Sequence, residues 1–303
     1  PYSSKVEVDK VHAGTLGSDQ WDMLSEGGAE LFVWSEPDPT GSGSSIFPMK
    51  SWYLVRVNGV VTQGPAPLTD SGDNLTGHMM RVTYAGPGTG SISGIRWDDR
   101  RFFVIPFTVA SGVVTFGSVT YPFTTDTFIN FDACTGYDGT NNRTYYVLQE
   151  VASPPTFGDT KALRLTHAGT SLSTTTVVLA TDPASLAYLG DVGLGIYYQR
   201  TEAKVYFCVC SNQHDNVRLY TTAADLSTKS ATSDVYTFDS AAGDYFGNMG
   251  QTSATAFTNV AGIDSSMQVF RCTMTERSSG GVHLIWQGLW SSDGSVEAWG
   301  AGG

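Results

Sequence analysis

The segment Trp52-Tyr-Leu-Val-Arg-Val-Asn-Gly-Val-Val-Thr62 decides the fold class, because it joins two runs of β-branched and aromatic residues through Asn58-Gly59. A two-residue type I′ turn requires positive φ at both central positions, and Asn and Gly tolerate this better than other residues. The segment therefore predicts an antiparallel β-hairpin with one strand on each side of residues 58–59.

Similar short runs of β-branched and aromatic residues recur along the whole chain and are separated by turn-rich stretches. This pattern is typical of β-sandwiches and β-barrels. Strands do not alternate with long helical segments, which disfavours a parallel α/β fold. We therefore predict an all-β fold, an antiparallel β-barrel or sandwich with long surface loops and at most one or two short helices.

Further local patterns predict individual hairpins and helices. Residues 269–276 and 282–286 are expected to form a second hairpin, and Asp293-Gly294 is expected to close a third. Residues 182–190 begin with Asp-Pro and end with Gly, which is typical of a short helix with its N-cap and its C-terminal stop. Residues 222–226 are expected to add one helical turn.

The chain has 303 residues, no clean internal repeat and no linker that would mark a boundary. All-β units of this length often form one body, so we predict a single domain over residues 1–303 with frayed ends at 1–10 and 298–303. The start at Pro1 suggests a piece excised from a longer protein. The longest apolar runs are too short to cross a bilayer, so no membrane insertion is expected.

The charge balance argues against two classes of partner. The net charge is −12, from 17 basic and 29 acidic residues, and no block is rich in Lys or Arg. The electrostatic attraction that drives binding to nucleic acid or to an anionic membrane is therefore missing. Charged residues make up 15% of the chain, against about 25% in typical soluble domains, so Ser, Thr, Asn and Gly must form much of the polar surface.

The four cysteines, Cys134, Cys208, Cys210 and Cys272, are too sparse for a disulfide scaffold of this length. Cys208 and Cys210 would lie on the same face of a strand. A structural zinc site needs four ligands with paired spacings, so we interpret the cysteines as small buried residues or occasional thiols. No metal site and no cofactor are expected.

The sequence shows no contiguous catalytic motif. No Gly-x-Ser-x-Gly pentapeptide occurs, and no two histidines have a zinc-binding spacing. The glycine-rich residues 86–90 lack the Gly-Lys-Ser/Thr of a phosphate-binding loop. Asp98 and Asp99 are adjacent and would face opposite ways in a strand, so they do not form a glycosidase pair. We therefore predict no catalytic residues and no enzyme.

Two features favour a binding function. Several stretches lack periodicity, namely residues 36–49, 63–76, 85–90, 132–142 and 240–264, and long loops in compact domains usually carry function. Aromatic residues in loop-like or terminal contexts, which include Tyr137, Tyr245, Trp290 and Trp299, could stack on sugars or anchor a protein partner. The alternative is that each of these rings covers the core.

Three of these loops are the expected contact surface: residues 36–49, 132–142 and 240–264. The candidate receptor-binding residues within them or beside them are Asp138, Asn141, Asn142, Arg143 and Tyr245. Their short polar or aromatic side chains could bind a glycan or a protein. Oxygen atoms are available at residues 138–142 for calcium, but the spacing of a calcium loop is absent, so a polar turn is the better interpretation.

Leu31-Phe-Val-Trp-Ser-Glu-Pro-Asp-Pro-Thr40 and the following Ser51-Trp-Tyr-Leu-Val-Arg-Val-Asn-Gly59 resemble the opening strands of an astrovirus capsid spike. The low-charge, Ser/Thr/Gly-rich β character of the whole chain is similar too. The resemblance implies a homodimeric projection domain on the virion surface, assembled in the host cytoplasm. Such a domain would bind a host-cell receptor, either protein or glycan, carry epitopes for neutralising antibodies and need no cofactor.

Two other functions fit the same pattern. One is a carbohydrate-binding module or the tip of a phage or bacterial fibre, and the other is a β-fold glycoside hydrolase. A spike should form a stable dimer that buries on the order of 1,000 Å² or more, whereas fibre tips are usually trimers and isolated modules are monomers. A hydrolase would require two acidic side chains that converge in a cleft.

Overall fold

The computed structural model describes residues 21–37, 49–137, 142–153, 156–180, 193–211, 216–230, 233–237, 268–276, 281–289 and 296–302. Within these residues the chain forms twenty-one β-strands and no helix. Strand pairing is antiparallel wherever its register is defined. The prediction of an all-β antiparallel fold is therefore confirmed. The described sheets are open, and none of them closes into a barrel.

The strands form five sheets in which strands adjacent in sequence are hydrogen-bonded neighbours, and one small ribbon. The first sheet consists of β1 (Trp21–Glu26), β2 (Ala29–Pro37), β3 (Met49–Val57) and β4 (Val60–Pro67). The ribbon consists of β5 (Thr69–Asp70) and β6 (Asp73–Asn74). The second sheet consists of β7 (Gly77–Gly86), β8 (Thr89–Arg96), β9 (Phe102–Ala110) and β10 (Val113–Phe116).

The second half of the chain continues in the same way. The third sheet consists of β11 (Phe128–Tyr137), β12 (Asn142–Ser153), β13 (Thr156–Ala168) and β14 (Ser171–Ala180). The fourth consists of β15 (Gly193–Gln199), β16 (Lys204–Ser211), β17 (Asn216–Ala223) and β18 (Ser233–Thr237). The fifth consists of β19 (Gln268–Glu276), β20 (Val282–Leu289) and β21 (Val296–Gly302). Each sheet is an up-and-down meander, the unit from which propeller blades are built.

The described residues fall into two compact units. The first contains the two N-terminal sheets, the ribbon, the segment up to residue 129, and residues 142–144 and 165–174. The second contains residues 130–137 and 145–164, and the described residues from 175 onward. The single domain over residues 1–303 stays a prediction.

The hairpin at Asn58-Gly59 is confirmed. Asn58 has φ of 50° and Gly59 has φ of 79°, and Val57 pairs with Val60 across the turn. The hairpin between β19 and β20 is confirmed as well, with pairs from Gln268 to Glu276 on one strand. Strand β21 pairs with β20, but the turn at residues 293–294 lies outside the described residues.

Alternation of buried side chains builds the core of the first unit. On β2, Leu31 and Val33 point inward, and on β9, Phe103, Ile105 and Phe107 do the same. Full burial of such a side chain contributes about 1.5–3 kcal/mol. Strand β8 lies between β7 and β9 and is buried along six consecutive residues, so its small residues leave room for the rings of its neighbours.

Gly90 and Gly94 on β8 show why small residues are needed there. A Cβ atom added to Gly90 would lie 2.4 Å from Cζ of Phe107, and one added to Gly94 would lie 2.7 Å from Cζ of Phe103. Both distances are shorter than van der Waals contact. The two glycines therefore allow the phenylalanine rings to pack directly on the backbone of β8, which overrides the low β-propensity of glycine.

The core of the second unit contains a stacked pair of tyrosines. The rings of Tyr145 and Tyr198 are 5.6 Å apart and tilted by 7°, and the Tyr145 hydroxyl donates to the carbonyl of Ala224 at 2.8 Å. A Cβ at Gly136 would lie 2.4 Å from the Tyr198 ring. Cys208, on β16, is fully buried. Neither Cys134 nor Cys208 forms a disulfide.

Two expectations about local structure are corrected. Residues 222–226 form no helical turn, because β17 continues to Ala223 and the Asp225 carboxylate then accepts from the backbone N–H of Ser227 at 2.9 Å, which stabilises a tight turn instead. Residues 63–76 are not an irregular loop, since they contain the end of β4 and the ribbon, where the buried Leu68 and Leu75 are backbone-paired at 2.8 Å. The helix predicted at 182–190 lies outside the described residues.

Candidate functional site

The candidate residues from the sequence are only partly described. Asp138, Asn141 and Tyr245 lie outside the described residues, while Asn142 and Arg143 begin β12 and are half-buried. A Cβ at Gly86 would lie 1.7 Å from Nδ2 of Asn142. The amide of Asn142 therefore packs against the backbone of the β7–β8 hairpin. Arg143 also takes part in an interaction. Their role in receptor binding stays a prediction.

The structure also describes only part of the expected contact loops. Residues 132–137 belong to strand β11 rather than to a loop, because pairing with β12 outweighs the weak β-propensity of their small and polar side chains. Tyr137 and Trp299 likewise lie in strands, β11 and β21. Residues 38–48 and 238–267, together with Trp290, lie outside the described residues.

The described residues contain a different polar surface, at the connection between β8 and β9. Here the backbone N–H of Arg96 donates to the carbonyl of Arg101 at 2.9 Å, and the N–H of Arg100 donates to the carbonyl of Arg96 at 3.1 Å. The residues between the first pair, Trp97 to Arg100, form a tight connection that we call the 97–100 turn. Arg100 is left-handed, with φ of 57°, a conformation that costs a non-glycine residue roughly 1 kcal/mol or more.

Two aspartates fix this turn through two arginines. Asp98 accepts from Nε of Arg96 at 2.9 Å and from its Nη2. Asp99 accepts from Nε of Arg101 at 2.5 Å. The carboxylates also accept hydrogen bonds from the backbone. Asp98 accepts from the N–H of Asp99 at 2.9 Å, and Asp99 accepts from the N–H of Arg101 at 3.1 Å. Arg96 also lies 3.5 Å from Asp99 through its Nε. Asp98 and Asp99 are therefore turn residues that share an ion-pair network with Arg96 and Arg101, and not strand residues on opposite faces.

Residues distant in sequence attach the turn to the rest of the first unit. Thr76 donates its hydroxyl to Asp98 at 3.0 Å, and its carbonyl accepts the N–H of Trp97 at 2.6 Å. The Tyr121 hydroxyl accepts from Nη1 of Arg96 at 3.2 Å and donates to Asp70 at 2.6 Å. The guanidinium carbon of Arg101 lies 4.3 Å from the centroid of the Tyr121 ring, within the range of a cation–π interaction.

The electrostatics keep Asp98 ionised and Tyr121 protonated. Partial burial acts to raise the pKa of Asp98, but the hydrogen bonds from Arg96 and Thr76 outweigh it, so that the pKa lies below its usual value. Burial, followed by the hydrogen bond to Asp70, raises the pKa of Tyr121 to about 12. At neutral pH the Tyr121 phenol is therefore a hydrogen-bond donor and not a nucleophile.

The turn exposes an aromatic ring and a cation. Trp97 is 40% exposed, and Arg100 is exposed as well. Five of the six residues from Arg96 to Arg101 are charged. Four of those charges are paired with one another, whereas the Arg100 side chain has no ion-pair partner among the described residues. The result is a rigid surface that carries an indole and one available guanidinium.

From the sequence, Asp98 and Asp99 were judged only as a possible catalytic pair, and the 97–100 turn was not among the predicted sites. A usable signal was present, because Arg96-Trp-Asp-Asp-Arg-Arg101 is a dense charge run in a chain with few charges, and it lies between two predicted strands. Asp70, Thr76 and Tyr121 carried no such signal, since only the fold brings them to the turn.

No group of three or more His, Cys, Asp or Glu side chains that could bind a metal ion occurs in the described part of the chain. Nor do the described residues include a helix long and apolar enough to span a bilayer.

No protein-family model matches the chain, and no curated protein is significantly similar to it. Among solved structures, it is similar to an endo-arabinase from Bacteroides thetaiotaomicron, with 13% identity, a TM-score of 0.42 and 73% of each chain covered. It is also similar to Trypanosoma rangeli sialidase, with 10% identity, a TM-score of 0.44, and 93% of this chain and 46% of that chain covered. AofleA from Arthrobotrys oligospora gives 8% identity, a TM-score of 0.31 and coverages of 94% and 87%.

The prediction that the chain is not an enzyme is wrong as an exclusion, because the structures similar to it include glycosyl hydrolases and sialidases. That prediction depended on missing contiguous motifs. Catalytic carboxylates in β-folds come from separate strands and loops, and so leave no contiguous motif. At these identities and TM-scores, however, the similarities carry no argument for an activity of this chain.

The comparisons do not bear on the resemblance to an astrovirus capsid spike. The homodimer, the host-cell receptor, the antibody epitopes and the location on the virion surface all stay predictions.

Proposed function

We propose that this chain binds carbohydrate, and that its site is the 97–100 turn with Trp97 at the centre. This is the second of the three functions that the sequence pattern allows. The observation that carries the proposal is the exposed indole of Trp97 on a turn whose backbone is fixed by two carboxylates. A ring presented by a rigid support loses little conformational entropy on binding.

The chemistry of a sugar matches this surface. One face of a pyranose ring presents C–H groups that pack on an aromatic ring, and its edge presents hydroxyl groups that donate and accept hydrogen bonds. Around Trp97 the turn offers both kinds of partner: the Asp98 carboxylate, whose side chain is 47% exposed, and the guanidinium of Arg100. An apolar platform next to charged hydrogen-bonding groups is what such a ligand requires.

The turn favours binding over hydrolysis at this site. A glycosidase needs one carboxyl group with a raised pKa as its general acid. Asp98 has a lowered pKa and is paired with Arg96, and Asp99 is paired with Arg101. Neither carboxylate therefore has the environment of a general acid.

The test is glycan-array binding followed by titration calorimetry on the best ligand, with the variant Trp97→Ala. We expect Trp97→Ala to weaken binding about tenfold or more, as loss of a central aromatic contact typically does. Met23→Ala is the matched control, since Met23 is 46% exposed on β1, and it should bind as the wild type does. Wild-type affinity in Trp97→Ala would contradict the proposed site, and no binding to any glycan would contradict the proposed function.

A further inference from the structure

The 97–100 turn has an unbalanced positive charge. Its two carboxylates are both engaged by arginines, Asp98 by Arg96 and Asp99 by Arg101. The remaining cation, Arg100, is exposed, and it has no ion-pair partner in the described part of the chain, where the ion pairs of this turn involve only Arg96 and Arg101 as cations. The nearby Asp70 accepts a hydrogen bond from the Tyr121 hydroxyl, which itself accepts one from Arg96. Arg100 is therefore the guanidinium of this surface that is available to a ligand.

The backbone at Arg100 is held in a conformation that arginine does not favour. Its φ of 57° is left-handed, where glycine or asparagine would fit with less strain. Two hydrogen bonds hold it there: its N–H donates to the carbonyl of Arg96 at 3.1 Å, and its carbonyl accepts the N–H of Phe128 at 2.8 Å. Strained positions that the surrounding structure fixes in this way cluster at binding and catalytic sites.

We infer that the carbohydrate bound at the 97–100 turn is acidic, with a carboxylate or sulfate group that pairs with Arg100 while a sugar ring packs on Trp97. The inference rests on the proposed function and adds the ligand class. The planar fork of a guanidinium matches the oxygens of a carboxylate or a sulfate in two parallel hydrogen bonds. The net charge of −12 repels anions at long range, so recognition must come from this short-range pair.

The experiment uses three galactose-based ligands that differ in charge: a neutral galactan oligosaccharide, an oligogalacturonide with carboxylates, and a sulfated galactan. The wild-type chain should bind at least one acidic ligand about tenfold more tightly than the neutral one, as expected for a charge-assisted hydrogen bond. The two acidic ligands distinguish carboxylate from sulfate. Poly-glutamate is the control for anionic peptides, and binding as tight as that of the acidic sugars would overturn the assignment to carbohydrate.

Arg100→Gly is the decisive variant, because glycine favours the left-handed backbone and the variant should fold at least as well as the wild type. Its melting temperature should be equal or higher, while its affinity for the acidic ligand should fall to that for the neutral one. Arg100→Lys should keep part of the preference, since lysine retains the charge but not the planar fork. An acidic preference that persists in Arg100→Gly would overturn the inference.

Trp97→Ala separates this inference from the proposed function. If both are right, Trp97→Ala loses all three ligands, whereas Arg100→Gly loses only the acidic preference. If Trp97→Ala loses binding and the wild type shows no acidic preference, the carbohydrate site stands and the inference fails. If the wild type binds none of the three ligands and no glycan on the array, both fail.

Discussion

Four hairpin turns of the first unit place a non-glycine residue in the left-handed region, at Asn58, Ser71, Arg100 and Ser111, and two of them show that the reasons differ. At the β3–β4 turn the residue is Asn58, followed by Gly59, and local preference is sufficient for the type I′ conformation. At the 97–100 turn the residue is Arg100, and the conformation is imposed by ion pairs and hydrogen bonds around it. Both turns are exposed, but the first presents Asn58 and Gly59, whereas the second presents an indole and a guanidinium.

Among changes in these two turns, the largest effect is expected in the turn that depends on local preference. Gly59→Val puts a β-branched residue at φ of 79°, which should lower the free energy of unfolding by about 2 kcal/mol. A Cβ at Gly59 meets no other atom within 4 Å, so the cost is conformational and not steric. Urea unfolding measures it, and Gly59→Asn, which tolerates the left-handed region, is the control. An unchanged midpoint in Gly59→Val would show that local preference does not determine this turn.

A somewhat smaller effect is expected from a change in the ion-pair network. Asp98→Ala removes hydrogen bonds from Arg96 and Thr76 and should lower the free energy of unfolding by about 1–2 kcal/mol, since half of this carboxylate faces solvent. Asp73→Ala in the exposed ribbon is the matched control and should change it by less than about 0.5 kcal/mol. Equal effects of both variants would show that the network does not stabilise the turn.

A gain in stability is expected from Arg100→Gly. Relief of the left-handed arginine is partly offset by the larger backbone entropy of glycine in the unfolded chain, so the free energy of unfolding should rise by roughly 0.5 kcal/mol. Thermal unfolding by calorimetry would show it as a slightly higher Tm. A clear loss of stability would mean that the Arg100 side chain supports the fold, and that the contrast with Asn58 is smaller than we describe.

The smallest effect is a dependence on pH that the two turns should not share. The lowered pKa of Asp98 means that its contribution is complete above the unfolded value of 3.8 and is lost as the pH falls through the lower folded value. The stability difference between wild type and Asp98→Asn should therefore shrink as the pH falls below about 5. Gly59→Val should keep a constant difference over this range, because that turn has no titratable group.

A second titratable group, His167, makes the stability of the whole chain fall in acid. Comparing each turn variant with wild type at the same pH cancels this contribution. Burial lowers the pKa of His167 from 6.5 to about 4. Stability is therefore lost as the pH falls from 6.5 towards 4, by about 3 kcal/mol, because the unfolded chain binds the proton first. His167→Gln should flatten this fall in a pH series of urea midpoints. A midpoint that falls equally in wild type and variant would assign the loss to other groups.

Structure follows from sequence where the determining interactions are local. The turn at residues 58–59 and the hairpin between β19 and β20 follow from residue type and alternation. The strand at residues 132–137 and the ribbon at residues 69–74 were not predicted, because pairing partners and the burial of Leu68 and Leu75 decide their structure. The 97–100 turn was not predicted as a site either, although its charge run is visible in the sequence.

The all-β antiparallel character of this chain and the position of its Asn58-Gly59 hairpin follow from the amino-acid sequence alone, because β-propensity and turn preference act over a few adjacent residues. Only the tertiary structure decided the candidate site. Tyr121 is 25 residues from Arg96 and 51 from Asp70 in sequence, yet their polar atoms meet. The left-handed Arg100 depends on that network and on Phe128, because ion pairs and hydrogen bonds form between groups that the fold brings together.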